Sequence, residues 1–467
     1  MNRYGAKSFV VAIAVLLSTI GFRVASKGMD SETSTTTVLN VKDFAAMGDG
    51  KTDDSIAFNN ALKGLGERGG GTLLVPSGKY VVGDLKIGSG TILKGMGVPR
   101  PILVKSPQAK NILDLTGEVI GAQRHGVHNV TIESVTLRGR SVEDGFKEHV
   151  HNINAMGVKT LVIHNVVFEA FQGDGLYLGS GFSATDPVAH NSEVVVSDSE
   201  FRGVNSENRN GISIIDCDGC IIEHNSFNDL SRADMPGPID IEPNRLEDTV
   251  RNIIIRNNTI KGTNGAAGVS IALRTGVFHQ PPDHITIEYN SIENAKIGIR
   301  IVRAYMASTQ GEKIGVNIRH NTLRGTGRPV LIDGTSGITV ANNVFSDSPS
   351  SVGIGCNSRS GFSFTGNRLE RIGSESGSGI QLCGELSLIS FQGNTFIDTG
   401  SKTTDSSAIY FISGVMNGIS IVNNTFSSPH HVTRSAMRLA KTAKFGDRKP
   451  IWAGNILKDG IQQEALQ

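Results

Sequence analysis

The chain has 467 residues, and its 45 Lys and Arg against 44 Asp and Glu leave a formal net charge of +1. That balance provides no electrostatic footprint for nucleic acid and no pull toward an anionic membrane surface. Glycine is abundant, at 56 residues, and aromatics make up only 6%, a pattern of short strands and tight turns rather than of a helical bundle.

The sequence opens with MNRYGAKSFVVAIAVLLSTIGFRVASKG. Arg3 and Lys7 form a basic lead, Phe9 to Phe22 an apolar run of 14 residues, and Val24-Ala25-Ser26 a small-residue cleavage site. Residues 1–26 therefore read as a signal peptide that sends the chain to the periplasm or the exterior, with an uncleaved membrane anchor as the alternative, and 27–37 as a flexible lead-in. No later segment is long and apolar enough to span a bilayer, so stable membrane association is not expected.

Residues 41–82 follow, VKDFAAMGDGKTDDSIAFNNALKGLGERGGGTLLVPSGKYVV. Asp53 or Asp54 can cap a helix whose apolar positions are Ile56, Phe58, Ala61, Leu62 and Leu65, with Gly69-Gly70-Gly71 as its stop. TLLVPSGKYVV is then a first strand and turn.

From residue 128 one pattern recurs in eleven copies, from HNVTIESVTL (128–137) to GISIVNNTF (418–426), with last residues 22 to 33 apart. Each copy is an alternating apolar strand, a polar corner and one more apolar residue. The corner is often Asn-Asn or Asn-Ser, and Asn suits it by tolerating left-handed backbone angles and bonding locally. A shorter strand usually follows, as in GLYLG (175–179), NGISII (210–215), GPIDIE (237–242) and IGIRIV (297–302). One such unit cannot bury its own apolar side, whereas stacked units can. The expected fold is all-β: a single-stranded parallel β-helix, or solenoid, over residues 38–430. An N-terminal capping helix covers the open strand edges at one end, and 431–467 form a C-terminal cap or tail. Cys217 and Cys220 have no second pair at zinc spacing. Cys356 and Cys383, one repeat apart, stack in neighbouring coils, either as small buried residues or as a disulfide.

Chemistry concentrates on the shorter strands. With Ile239 and Ile241 inward, Asp240 and Glu242 turn outward, their Cα atoms about 6.5–7 Å apart. The outward column of neighbours is Tyr177, Ser213, Asp240, Ser270, Arg300. Strand ends and loops add Asp216, Asp218, Arg274 and Arg303, and preceding loops add Lys147, His149, His151, Asp174 and Arg209. Two carboxylates so placed suit an inverting glycosidase, whose acid and base stand about 6.5–9.5 Å apart. They equally suit a Ca²⁺ that neutralises a uronate for β-elimination. Arg274 and Arg300 can hold sugar carboxylates bidentately. Lys147, His149 and His151 are general acid or base candidates. His279 and Phe278, in the loop 277–284, overhang the same region, the phenyl ring as a platform for a sugar.

The stretch VKDFAAMGDGKTDDSIAFNNAL…GGGTLLVPSGKYVV, with the repeats, resembles the pectate-lyase superfamily. That group holds polygalacturonase-like hydrolases, polysaccharide lyases, mannuronan C5-epimerases and phage tailspikes. The resemblance covers about residues 38–430 and implies a right-handed coil with a sugar polymer laid across its stacked strands. Where polygalacturonases carry Asp-Asp, this chain has Asp216 and Asp218 apart, and it has no Gly-His-Gly. Arg209-Asn210-Gly211 stands where the epimerases carry Arg-His-Gly.

The function expected is an exported enzyme that cleaves glycosidic bonds of an acidic polysaccharide. Asp240, Glu242, Asp216, Asp218 and Arg209 are its catalytic candidates. Tyr177, Arg274, Arg300, Arg303, Lys147, His149, His151 and His279 are its substrate contacts. Hydrolysis leads and requires no cofactor. A lyase, which admits Ca²⁺, or a C5-epimerase is the alternative, and a non-catalytic carbohydrate-binding or exopolysaccharide-assembly protein is the rival class. A polysaccharide is the expected partner, with no nucleic acid, and the chain is a monomer or a trimer.

Overall fold

A computed structural model describes residues 37–120, 123–181, 189–273, 278–303, 313–402 and 405–463. The segment 1–26 and all but the last residue of the lead-in fall outside them. Among the described residues no helix is long and apolar enough to cross a membrane.

The chain winds as a parallel β-solenoid with three strands per coil. The alternating runs form the first sheet, for example Ser192–Ser197, Cys217–Glu223 and Val250–Arg256, each parallel to the next. The residues after each polar corner form a second sheet of short strands, such as Glu200–Arg202 and Ser226–Asn228. The shorter predicted strands form the third sheet, including Ile153–Met156, Leu176–Gly179, Ile212–Ile214, Ile239–Ile241, Val269–Leu273 and Ile297–Arg303. Sequence periodicity merges the second sheet with the first, because only two residues separate them.

Those two residues have separate jobs. The first takes a left-handed conformation and is exposed or half-buried, as at Asn257 (φ 55°), Tyr289 (54°) and His320 (56°). From Asn225 onward the second is a buried Asn that bonds from coil to coil, with an added local bond at Asn321, Asn343 and Asn424. Asn290 Oδ1 accepts from the backbone N–H and side-chain amide of Asn258, both at 3.0 Å. Asn290 in turn donates to Asn321 Oδ1 and to the carbonyl of Ile255. The ladder runs from Asn225 to Asn455 and satisfies backbone groups that a sharp corner would otherwise strand. Inside it, Phe168, Phe201 and Phe227 stack with centroids 4.4 and 4.7 Å apart.

A helix spans Ser55–Gly66 and buries Ala57, Phe58, Ala61, Leu62 and Leu65 in the same core as Leu73 and Leu85. Ile56, expected on that face, is 77% exposed. Asp53 Oδ1 accepts from Ser55 N at 2.9 Å, while Asp54 turns back to bind the amides of Met47 and Gly48. At the other end strands continue past residue 430. Ser435–Leu439, Ile451–Ala453 and Ile456–Leu457 each pair with the preceding coil, so the expected tail is one more coil. Cys356–Cys383 is a disulfide between neighbouring coils, and Cys217–Cys220 is a second that the spacing did not suggest.

Candidate active site

The strand registers build the expected column on the outer side of the third sheet. Asn154 pairs with Tyr177, Tyr177 with Ser213, Ser213 with Asp240, Asp240 with Ser270, and Ser270 with Arg300. Leu331 and Gly353 continue it without charge.

Asp240 and Glu242 do point away from the core, but solvent does not reach them: they are 0% and 6% exposed. Asp240 lies among Arg209, Asp174 and Glu242, to which it is hydrogen-bonded. Burial, and then the Glu242 charge, push the Asp240 carboxyl well above the usual carboxylate range. The two carboxyl groups are therefore in contact. The Asn210 amide completes this floor, donating to the Gly237 carbonyl (3.0 Å) and accepting from Arg209 (3.2 Å) and Ser213 (2.9 Å).

Above the floor stands a second group. The Tyr177 and His151 rings are stacked, 4.6 Å apart and 5° from parallel. His151 is buried, and its Nδ1 accepts the backbone N–H of Asp174 at 3.1 Å. That bond places the ring proton on Nε2, and burial lowers its pKa to about 4, so the imidazole is neutral. Burial, with Asp174 and Asp248 nearby, pushes the Tyr177 phenol up to about 12. Arg209 Nη1 meets the fully buried Asp174 carboxylate at 2.9 Å, and its Nη2 lies 3.6 Å from Glu148. Lys147 and His149 are exposed on the same loop. Asp174, one of the loop residues, thus ties Arg209 and His151 together.

Other expected residues stand apart. Asp216 is fully buried in a joint, accepting from His190 Nδ1 (2.7 Å) and from the amides of Asn191 (2.9 Å) and Thr249 (2.7 Å). Asp218 belongs to the first sheet, paired in register with Ser192 and Arg251, and accepts from Asn252. Arg303 is buried, with its guanidinium 6.0 Å from the Phe278 ring. That ring, expected as a sugar platform, is only 4% exposed because it faces the core. His279 is exposed and Arg300 half-buried, whereas Arg274 lies outside the described residues. The His190–Asp216 pair was missed. Its bond to Asp216 raises the His190 pKa, and the signal for it was a separation of 26 residues, one coil.

Residues 38–237 match the family model described as rhamnogalacturonase A/epimerase, pectate lyase-like. Residues 266–455 match one described as periplasmic copper-binding protein (NosD). In that second stretch the two cysteines form a disulfide, and His430 is bonded to Asp398. Among the described residues no group of three or more His, Cys, Asp or Glu could hold a metal ion. Alginate lyase 7 of Azotobacter vinelandii is 37% identical over 110 residues, 21% of this chain and 12% of that protein. The mannuronan C5-epimerase AlgE1 of the same organism is 30% identical over 181 residues, 30% of this chain and 13% of that protein. The chain thus spans a small part of the curated relatives it matches. The A-module of the epimerase AlgE6 from A. vinelandii superposes with a TM-score of 0.58 at 18% identity, over 90% of this chain and 99% of that one. These relatives are polysaccharide-active enzymes. The chain is thus a three-sheet parallel coil with the backbone of an epimerase module, and its residues 38–237 are similar to the pectate-lyase-like family model.

Proposed function

We propose that the chain binds a uronate-bearing polysaccharide along the third sheet and acts by proton transfer at C5, as an eliminating lyase or an epimerase. The observation that carries this is the half-exposed Tyr177, stacked on a neutral His151 and flanked by the Arg209–Asp174 pair. The relatives, an alginate lyase and mannuronan epimerases, point to the same substrate class.

Removing the C5 proton leaves charge on the neighbouring carboxylate. Arg209 is the cation placed to stabilise it. The raised pKa of Asp240 serves that role, because it lessens the negative charge that Arg209 meets beside Asp174 and the half-exposed Glu148. Tyr177, protonated across the neutral range, donates to the O4 that departs as the C4–O4 bond breaks and a C4–C5 double bond forms. His149, exposed on the loop beside Arg209, is the imidazole that accepts the C5 proton. In epimerisation the C4–O4 bond stays, and a proton returns to the opposite face of C5. Export by residues 1–26 belongs to the same proposal.

The raised pKa of Asp240 favours one second reading, hydrolysis with Asp240 as acid. Incubation with mannuronan, polyguluronate and polygalacturonate separates them. Elimination gives unsaturated ends that absorb in the ultraviolet, and epimerisation changes the uronate composition without new ends. New reducing ends without unsaturation mean hydrolysis and overturn the proposal, as does binding with no product.

A further inference from the structure

The loop 140–152 feeds the third-sheet strand Ile153–Met156, and the loop 229–238 feeds Ile239–Ile241, three coils further on. Strands in neighbouring coils lie about 4.8 Å apart, so about 14 Å separates the two loops along the axis. The first loop leans across that gap. Ser141 N donates to the Ala170 carbonyl in the next coil, and Asn205 Nδ2, one coil beyond, donates to the Ser141 carbonyl at 3.2 Å. At Gly145 the backbone turns through a left-handed angle, φ 69°, and Gln172 Nε2 donates to its carbonyl at 3.1 Å. Phe146 completes the reach: the Arg232 guanidinium lies over its ring, 3.6 Å from the centroid. Arg232 is itself held by two carboxylates, donating from Nη1 to Glu207 at 3.0 Å and from Nη2 to Asp234 at 2.9 Å. Its side chain is 19% exposed, and Phe146 is half-buried.

Resting on the function proposed above, we propose that Arg232 is a positioning residue: by clamping Phe146 it fixes the path of the loop that presents His149 to the C5 proton. The residues just past the clamp are those of the site. Glu148 lies 3.6 Å from Arg209, and His151 is stacked on Tyr177. The far end of the segment is tied down, the Val150 carbonyl accepting from Gly173 N at 2.7 Å. Lys147 and His149 between are exposed, so the grip on Phe146 and the bond at Val150 set where His149 stands. A cation over a ring face fixes the ring in both distance and tilt, which an aliphatic contact does not. Glu207 and Asp234 offset the Arg232 charge, so the guanidinium serves to hold the loop rather than to attract a uronate. Because Arg232 belongs to the loop leading into Asp240, the clamp also couples His149 to the floor of the site.

The test uses the full chain and two readouts, the rate of trypsin cleavage after Lys147 and steady-state turnover on uronans. Arg232→Met keeps the aliphatic stem and Phe146→Leu keeps an apolar contact, so neither should move the melting temperature. Each should speed cleavage after Lys147 roughly tenfold, because cleavage follows the population of the open loop. Each should lower kcat by roughly 10–10²-fold with KM unchanged, since a misplaced imidazole slows proton transfer while Arg209 still meets the uronate. Phe146→Tyr keeps the ring face and should match the wild type in both readouts, and Arg232→Lys should fall between. Cleavage at the wild-type rate in Arg232→Met, or Phe146→Tyr behaving as Phe146→Leu, overturns the clamp. Faster cleavage with wild-type turnover overturns its bearing on His149. Either result leaves the proposed function standing. A wild type that makes no product from any uronan overturns that function and the role of His149 with it, while the cleavage rates still decide the clamp.

Discussion

Asp240→Asn tests whether the buried pair holds a proton. In the folded coil Asp240 stays protonated at pH values where the unfolded chain, with a pKa of 3.8, has released it. The folded state then binds the extra proton, so stability falls with rising pH by about 1.4 kcal/mol per unit until the pair itself ionises. His151 acts in the opposite sense. Its pKa is about 4 when folded against 6.5 when unfolded, so below 6.5 the unfolded chain takes up a proton that the folded one refuses. Stability from His151 therefore rises with pH across that window at the same slope, about 1.4 kcal/mol per unit. The two slopes oppose each other in the wild type. Asp240→Asn removes only the first, and its amide can still donate to Glu242. The variant should gain about 1.4 kcal/mol over wild type for each pH unit above 4 in which the pair keeps its proton. Urea unfolding of both proteins in half-unit steps from pH 4 to 6.5 measures the difference. Parallel curves would refute the reasoning, since they would mean that Asp240 ionises alike in both states.

The remaining predictions concern the reacting groups and the coil. Tyr177→Phe should lower turnover by roughly 10²–10⁴-fold, as for a lost general acid, with stability nearly unchanged; near-wild-type turnover would remove Tyr177 from the reaction. Arg209→Ala should abolish activity that added Ca²⁺ does not restore, and EDTA should leave the wild type active, because the guanidinium supplies the neutralising charge; both are read in one product assay. Asn290→Ala strands the amides of Asn258 and the carbonyl of Ile255, at about 1–3 kcal/mol per buried group. Asn257→Gly, at the exposed left-handed corner beside the ladder, should shift the urea midpoint little. Mature secreted protein should begin near Lys27 by N-terminal sequencing.

The coil was legible in the sequence. Alternating apolar residues at a recurring interval cannot be buried except by stacking, and strand alternation correctly turned Ile239 and Ile241 in and Asp240 and Glu242 out. The outward column from Tyr177 to Arg300 follows from that same alternation. What the alternation could not say is which outward residues solvent reaches. That depends on loops, whose lengths differ from coil to coil and which fold over strands to which they are not adjacent in sequence. So the burial of Asp240, the stack of Tyr177 on His151 and the bond between His190 and Asp216 were decided only in three dimensions. The partners in both pairs lie 26 residues apart, and they meet because parallel pairing places each coil about 4.8 Å above the last. The Asn corners show the same division. Their presence is a matter of sequence, but whether each Asn bonds its own turn or the next is settled by the stacking, which leaves no water to satisfy the buried amide.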